Sequence, residues 1–360
     1  MTRANDKINE AARSLLNSIL DLDEAKLETP VRSLSNVDYD ADDGFFQLQG
    51  SMKERKLSAN TAKTFAQTLR LMALSKELIE TEDIATKREA YYVSKNWDDA
   101  KFDKQDQSDN LMDDVEAMFR VNREQLGFIA DEGGGSVAGE LTVIDENPTT
   151  GERVEINCTD CGSGSYSVPS DVEHLEFETD ADFILAVETR GMYERLNKHQ
   201  FWEQENCILV SMGGVPARAC RRFIRRLSDQ IDIPVYVFTD GDPYGYLNIY
   251  RTLKVGSGNA AHINEHFCVP RARFLGITPD DIETYDLPTH DLDDVDEKRI
   301  SDGLDNDPFV KKHESWQNAL KQLNNMGVRA EQQSLAKHGL NFVLSDYLPD
   351  KLNDEDAWLA

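Results

Sequence analysis

The sequence predicts a multidomain chain of α+β and α/β character, with a winged-helix unit followed by a unit built on a parallel β-sheet. Three observations predict it. Apolar residues recur at helical spacing between 58 and 122, and Gly133-Gly134-Gly135 then turns into "SVAGELTVI", which reads as a hairpin strand. From about 183 onward, short apolar runs ending in carboxylates alternate with helical stretches, the pattern of strand, helix, strand.

The 360 residues are enough for two or three domains of ordinary size. With 39 basic and 67 acidic residues the net charge is -28, which ordinarily argues against a polyanionic partner. Concentrated salt weakens that objection, because the Debye length falls to about 3 Å at 1 M. The acidity therefore points to a salt-loving host rather than to a ligand. Five cysteines without regular spacing do not describe a disulfide framework. No apolar run reaches the roughly 18 residues of a membrane span, and residues 1–10 lack a secretory core, so a cytoplasmic protein without membrane contact is expected.

Taken in order, Ile8, Ala11, Leu15, Leu16, Ile19 and Leu20 make one amphipathic stretch, followed by an Asp-rich connection. Residues 1–57 read as an extension that binds a partner subunit. The winged-helix unit, 58–150, starts with Ser58 as N-cap and places Phe65, Leu69, Met72, Ala73 and Leu74 near one face. A second helix, 108–122, carries Leu111, Met112, Val115, Met118 and Phe119, and the strand after the glycines supplies the wing. A linker or hairpin fills 151–175. The α/β unit, 176–360, opens with the strands "FILAVE" (183–188), "CILVSM" (207–212) and "PVYVFTD" (234–240). Twelve acidic residues between Asp280 and Asp307, offset by Lys298 and Arg299 alone, read as a solvated insertion. Trp316 to Leu352 reads as two helices.

Chemistry is suggested at three places. Glu188, Asp240 and Asp242 stand at the ends of two strands, and three carboxylates there suit a hard cation that keeps positions open for phosphate. A bare turn would also explain Asp-Gly-Asp-Pro, but not the glutamate on a matching strand end. In "KREAYY" (87–92), Arg88 and Tyr92 lie one helical turn apart, so the guanidinium can stabilise charge beside a phenol used as nucleophile. Packing is the commoner role of such a tyrosine, and Tyr91 keeps it. Third, Arg218, Arg221, Arg222, Arg225 and Arg226 can meet phosphates from one helix; internal salt bridges are an equally good reading. Cys158-Thr-Asp-Cys161 is half of a zinc motif without a second half, and "GSGSYS" lacks the lysine of a phosphate loop.

These motifs, with "KFDKQDQSDNLMDDVE", "ILAVETRGMYERL", "MGGVPARACRRFIRRL", "VYVFTDGDPYGYLNIYRTLKVGS" and "YLPDKL", resemble the A subunits of DNA topoisomerase VI, the archaeal type IIB topoisomerases related to the meiotic double-strand-break transesterase. The resemblance covers most of the chain from about residue 50. It implies a Toprim fold for the α/β unit, with Glu188, Asp240 and Asp242 holding magnesium. It implies Tyr92 as the residue that becomes linked to a 5′ phosphate of double-stranded DNA, with Arg88 beside it. It further implies a homodimer, joined by an ATPase B subunit in an A2B2 heterotetramer. Two rivals use part of the same residues: a Toprim nuclease needs the carboxylates without the tyrosine, and a non-catalytic DNA-binding protein needs neither.

Overall fold

Strands that are apolar on both faces are stable only inside a covered sheet, and three such runs set the architecture. Phe183–Val187 pairs in parallel with Cys207–Ser211 on one side and with Val235–Phe238 on the other, and Val235–Phe238 pairs in parallel with Ala272–Phe274. Nearly every residue of the first three is buried. Across the sheet these four parallel strands therefore stand in the order second, first, third, fourth. The chain leaves Phe183–Val187 to one side and returns to the other, which opens a crevice at the carboxyl ends of the first and third strands.

The computed structural model describes residues 2–129, 133–147, 149–354 and 358–359. Two compact units are present, one formed by Met1–Asp38, Phe46–Glu132 and Ser257–Glu265, the other by Tyr39–Phe45, Gly133–Gly256 and His266–Ala360. Among the described residues no helix is long and apolar enough to cross a membrane.

The expected wing is not where the sequence suggested. Ser136–Gly139 pairs antiparallel with Cys207–Ser211 and continues the parallel sheet to its edge strand, Tyr166–Ser167. Thr142–Glu146 instead lies between Arg153–Asn157 and Glu176–Glu178 in a separate antiparallel sheet. Val137 and Ala138 are adjacent and both buried, so the segment needs cover on two faces, which a solvent-exposed wing cannot supply.

The acidic stretch departs from expectation too. It forms helices Pro279–Thr284 and Asp294–Asn306, and Asp281, Asp296 and Asp307 are buried. Each has a reason to be inside: Asp281 accepts from the Lys351 ammonium at 2.5 Å, Asp296 meets Arg299 and Arg329, and Asp307 caps the helix Pro308–Lys312. Between Trp316 and Leu352 the helices Glu314–Met326 and Leu348–Asn353 are separated by the short strand Val328–Arg329 and by the turns Gln332–His338 and Val343–Tyr347.

In the other unit, Ala62–Thr81, Lys87–Val93 and Gln105–Phe119 pack around Leu71, Met72, Ala90, Leu111, Met112 and Val115. The first of these helices starts at Ala62, not Ser58, because Ser58 bonds Thr61 in a turn ahead of it. Its buried stripe includes Thr68 and Ser75, whose hydroxyls donate to the Thr64 and Leu126 carbonyls, so Leu69 is left outside. Asp114, on Gln105–Phe119, is buried and accepts from Arg32 at 2.9 Å, Lys53 at 2.9 Å and Arg55 at 3.1 Å, which ties the strands Lys26–Pro30 and Met52–Lys56 to that helix. Asp114→Ala leaves three cations without their shared acceptor and is expected to cost about 3 kcal/mol. Chemical denaturation of the variant in constant high salt measures this; a loss within error of zero would refute the role.

Candidate active site

Glu188 follows Phe183–Val187, and its N–H donates to the Phe238 carbonyl at 2.9 Å, the last backbone bond between the two strands. Asp240 and Asp242 follow Val235–Phe238, so the fold brings together three carboxylates that the sequence holds 52 and 54 positions apart. Glu188 Oε2 accepts from the Asp240 N–H at 2.9 Å. Asp240 Oδ1 accepts from the Gln332 N–H at 2.8 Å, and Asp242 Oδ1 from the Gly245 N–H at 2.5 Å. They sit in the crevice where the strand order reverses, the place such sheets bind ligands.

Two glycines are required by space rather than by backbone angle. A Cβ on Gly241 would lie 2.8 Å from Ile277 Cγ2, while its backbone makes an antiparallel bridge with Ala330. A Cβ on Gly245 would lie 2.6 Å from the Asp240 carbonyl, so the amide that holds Asp242 can approach only without a side chain. From Gly245 the chain runs as a π-helix to Tyr250, and the Tyr246 hydroxyl anchors it by donating to the Ile277 carbonyl at 3.0 Å.

Electrostatically the site is loaded against itself. Burial, then the neighbouring charges of Asp240 and Asp242, push Glu188 up to about 8, and burial pushes Asp240 up to about 6. Asp242 is raised by burial in spite of its bond from Gly245; Asp296 adds to the rise, and Arg329 and Arg299 offset part of it. Among the described residues no group of three or more His, Cys, Asp or Glu side chains is placed to hold a metal ion. Carboxylate oxygens each fixed by a backbone N–H are nonetheless the donor type a hard divalent cation takes when it uses one or two carboxylates, keeps several waters and completes its shell with phosphate. A cation there would offset the burial, and the smaller effect of neighbouring charge, that raise these carboxylates.

A pH dependence follows. A carboxylate whose folded pKa lies above its unfolded value binds more protons when folded, so its contribution to stability is full below about pH 4.5 and is lost as pH rises through about 8. A divalent cation held by these carboxylates would reverse that loss. The gain in melting temperature on adding Mg2+ should thus be larger at about pH 8.5 than at about pH 6. Thermal scans of wild type and Glu188→Gln in the two buffers check it, and an equal gain at both pH values would contradict the assignment.

Arg88 and Tyr92 lie on Lys87–Val93, in the helical unit. The helix is held at its start by a reciprocal cap, Thr86 Oγ1 accepting from the Glu89 N–H and Glu89 accepting from the Thr86 N–H. Thr86 is itself in a short strand paired in parallel with Phe128–Ile129, and Lys87 bridges to Asp109 at 3.0 Å. Ala90 and Ser94 take the buried face, which turns Tyr92 outward with 56% of its surface exposed. Tyr91 is committed elsewhere: its hydroxyl donates to the Asp103 carbonyl at 3.3 Å, and the Lys95 ammonium sits 3.9 Å from its ring centre. Among the described residues, nothing hydrogen-bonds the Tyr92 hydroxyl or pairs with the exposed Arg88. The phenol and the guanidinium are open to a ligand.

The arginine cluster turns inward. Arg222 makes two bonds to Glu173, at 2.5 and 2.7 Å, and a third to the His266 carbonyl. Arg225 donates to Asp229 and to the Cys268 carbonyl, Arg226 to the Val172 carbonyl, and buried Arg221 to the Thr252 carbonyl. Arg218 also has an internal partner. These side chains hold the helix Arg218–Ile231 in its own unit.

Sequence reading missed the groups that organise the carboxylates. Gln332 is fully buried beside them, Thr189 bonds it, and Arg299 and Arg329 share Asp296 close to Asp242. Thr189 follows Glu188 inside "ILAVETRGMYERL", but no motif signals the other three, because they come from distant segments or carry ordinary helix-surface chemistry.

Three family models match the chain in succession: Type IIB DNA topoisomerase over residues 63–128, All-beta domain in DNA topoisomerase VI alpha subunit over 131–181, and the Toprim domain of the topoisomerase 6 A-chain/Spo11 family over 183–352. The first contains Arg88 and Tyr92, and the last contains the three carboxylates and Gln332. The chain is 56% identical over 356 residues to the A subunit of type 2 DNA topoisomerase 6 from Methanocaldococcus jannaschii, covering 99% of this chain and 96% of that one. It is 38% identical to the protein of the same name from Halobacterium salinarum, over 98% of this chain and 96% of the other, and 36% identical to that of Natronomonas pharaonis, over 98% and 95%.

Proposed function

Since the chain belongs to the family of DNA topoisomerase VI A subunits, we propose that Tyr92 is the nucleophile with which it performs its DNA cleavage. The catalytic, DNA-cleaving subunit of a type IIB topoisomerase breaks and reseals the backbone without losing the bond energy, and a tyrosine ester is how it is kept. The carrying observation is the contrast on one short helix: the Tyr91 hydroxyl is bonded within the chain, while that of Tyr92 is exposed and unclaimed among the described residues.

In this reading the Tyr92 oxygen attacks a backbone phosphorus, the bond from phosphorus to the 3′ oxygen breaks, and the 3′ hydroxyl leaves with a proton. The 5′ phosphate stays on Tyr92, and the reverse step reseals the strand. Arg88, on the same face of the helix, balances the charge that grows on the phosphate oxygens. Glu188, Asp240 and Asp242 hold the divalent cation, taken to be magnesium. When bound, it supplies charge stabilisation to the phosphoryl oxygens and the leaving group. The helices Ala62–Thr81, Lys87–Val93 and Gln105–Phe119 act as a winged-helix-type module that presents Tyr92 to the duplex. Two copies of the chain cut opposite strands of double-stranded DNA. They join two ATP-hydrolysing B subunits in an A2B2 assembly that drives strand passage. The acidic surface is read as adaptation to concentrated salt, so assays belong in molar KCl.

The test is cleavage of supercoiled DNA by the complex of this chain with its B subunit, given ATP and Mg2+ and stopped with detergent. Linear DNA with protein on both 5′ ends is expected. Broken ends free of protein would replace this reading with a metal-dependent nuclease.

A further inference from the structure

The two strand ends that carry the carboxylates have no backbone hydrogen bond between them beyond the one from the Glu188 N–H to the Phe238 carbonyl. Beyond it the connection is carried by side chains, the Glu188 carboxylate on the Asp240 N–H and the amide of Gln332. Gln332 Nε2 donates to the Phe238 carbonyl at 2.8 Å, and Gln332 Oε1 accepts from the Thr189 hydroxyl at 2.8 Å. Its backbone N–H donates to Asp240 Oδ1 at 2.8 Å, and the Asp240 N–H in turn reaches Glu188 Oε2. The links close a ring through Glu188, Thr189, Gln332, Phe238 and Asp240. The segment that carries Gln332 is pinned by the bridge between Gly241 and Ala330, with bonds of 2.8 and 3.1 Å.

Gln332 has no exposed surface, and its amide is used at both ends. A carboxamide is the side chain that donates and accepts from one planar group, so it can hold a carbonyl on one strand and a hydroxyl on the next at a set spacing. A residue that merely filled space would need neither bond. We propose, on the reading that these carboxylates bind a divalent cation, that Gln332 is the positioning residue of the site: it fixes the distance between Glu188 and the aspartates. Groups that orient metal ligands in this way typically govern affinity by about 10–100-fold.

Manganese is the probe, with free Mn2+ read by electron paramagnetic resonance over the full chain in high KCl, without DNA. Gln332→Leu keeps the bulk of the side chain and removes both amide bonds; the Mn2+ dissociation constant is expected to rise by about 10-fold or more while circular dichroism shows a folded protein. Thr189→Val, which leaves Gln332 in place but deletes one of its partners, should give a smaller rise in the same direction and serves if Gln332→Leu does not fold. A lowered melting temperature with unchanged Mn2+ affinity would make Gln332 a structural residue and overturn the proposal. Glu188→Gln separates the two claims. If Mn2+ binds wild type and Glu188→Gln alike, the metal reading itself falls; if Glu188→Gln loses Mn2+ and Gln332→Leu does not, the positioning role alone falls.

Discussion

Tyr92→Phe is expected to form no covalent adduct with DNA at any enzyme concentration, while Tyr91→Phe stays near wild type. The two substitutions delete one hydroxyl each from adjacent residues, 5.4 Å apart between ring centres, so each serves as the control for the other. What separates them is what each hydroxyl does. That of Tyr91 serves a backbone carbonyl, a bond whose loss costs about 1 kcal/mol of stability. That of Tyr92, in the proposed reaction, is the attacking oxygen, for which phenylalanine has no substitute. Arg88→Ala should fall between them, losing about 10²-fold or more in adduct formation, since it removes one stabilising group and leaves the nucleophile. Detergent-trapped protein on end-labelled DNA is the measurement. Adducts surviving in Tyr92→Phe would sink the assignment, and their loss in Tyr91→Phe would transfer it.

The second large effect is a trade of stability against activity at the carboxylates. Glu188→Gln keeps the oxygen that accepts from the Asp240 N–H and removes a buried charge that two neighbouring carboxylates oppose. Without metal, the variant should therefore melt higher than wild type, by about 3 °C or more at pH 8, where the wild-type carboxylate is under strongest pressure to ionise. With Mg2+ and the B subunit, it should lose cleavage by about 10²-fold or more while still binding DNA. The pairing of a gain with a loss is the diagnostic part, because a residue that merely supports the fold would lose both. Cleavage at wild-type level in Glu188→Gln would remove the site from the mechanism.

Much of this was legible in the sequence. The strands at 183, 207 and 235 could be read because a run apolar on both faces has one stable use, and the carboxylates could be placed because a strand's end is a local property. The spacing placed Arg88 and Tyr92 on one helix face, since i and i+4 share a face whatever surrounds the helix, while the role of Tyr92 came only from the family resemblance. The cap formed by Thr86 and Glu89 is of the same kind.

Where the sequence misled, a distant partner decided. "SVAGELTVI" alternates and turns as a wing would, but whether such a strand is a solvent edge or a sheet interior depends on Cys207–Ser211, about 70 positions on. Five arginines on one helix look alike in sequence; Glu173 and the carbonyls of Val172, Thr252, His266 and Cys268 draw four of them inward. Asp281 and Asp296 read as solvated charge until Lys351 and Arg329 are placed beside them. Gln332 has no local signal at all, and its neighbours are strand ends roughly 90 and 140 positions before it. Periodicity and capping act over a turn or two of chain, so the sequence alone settles which faces are apolar and where elements end. Desolvation and hydrogen-bond pairing depend on which groups meet in space, and so the tertiary structure alone settled which polar groups are spent inside the protein and which, like the Arg88 guanidinium and the Tyr92 hydroxyl, are left exposed.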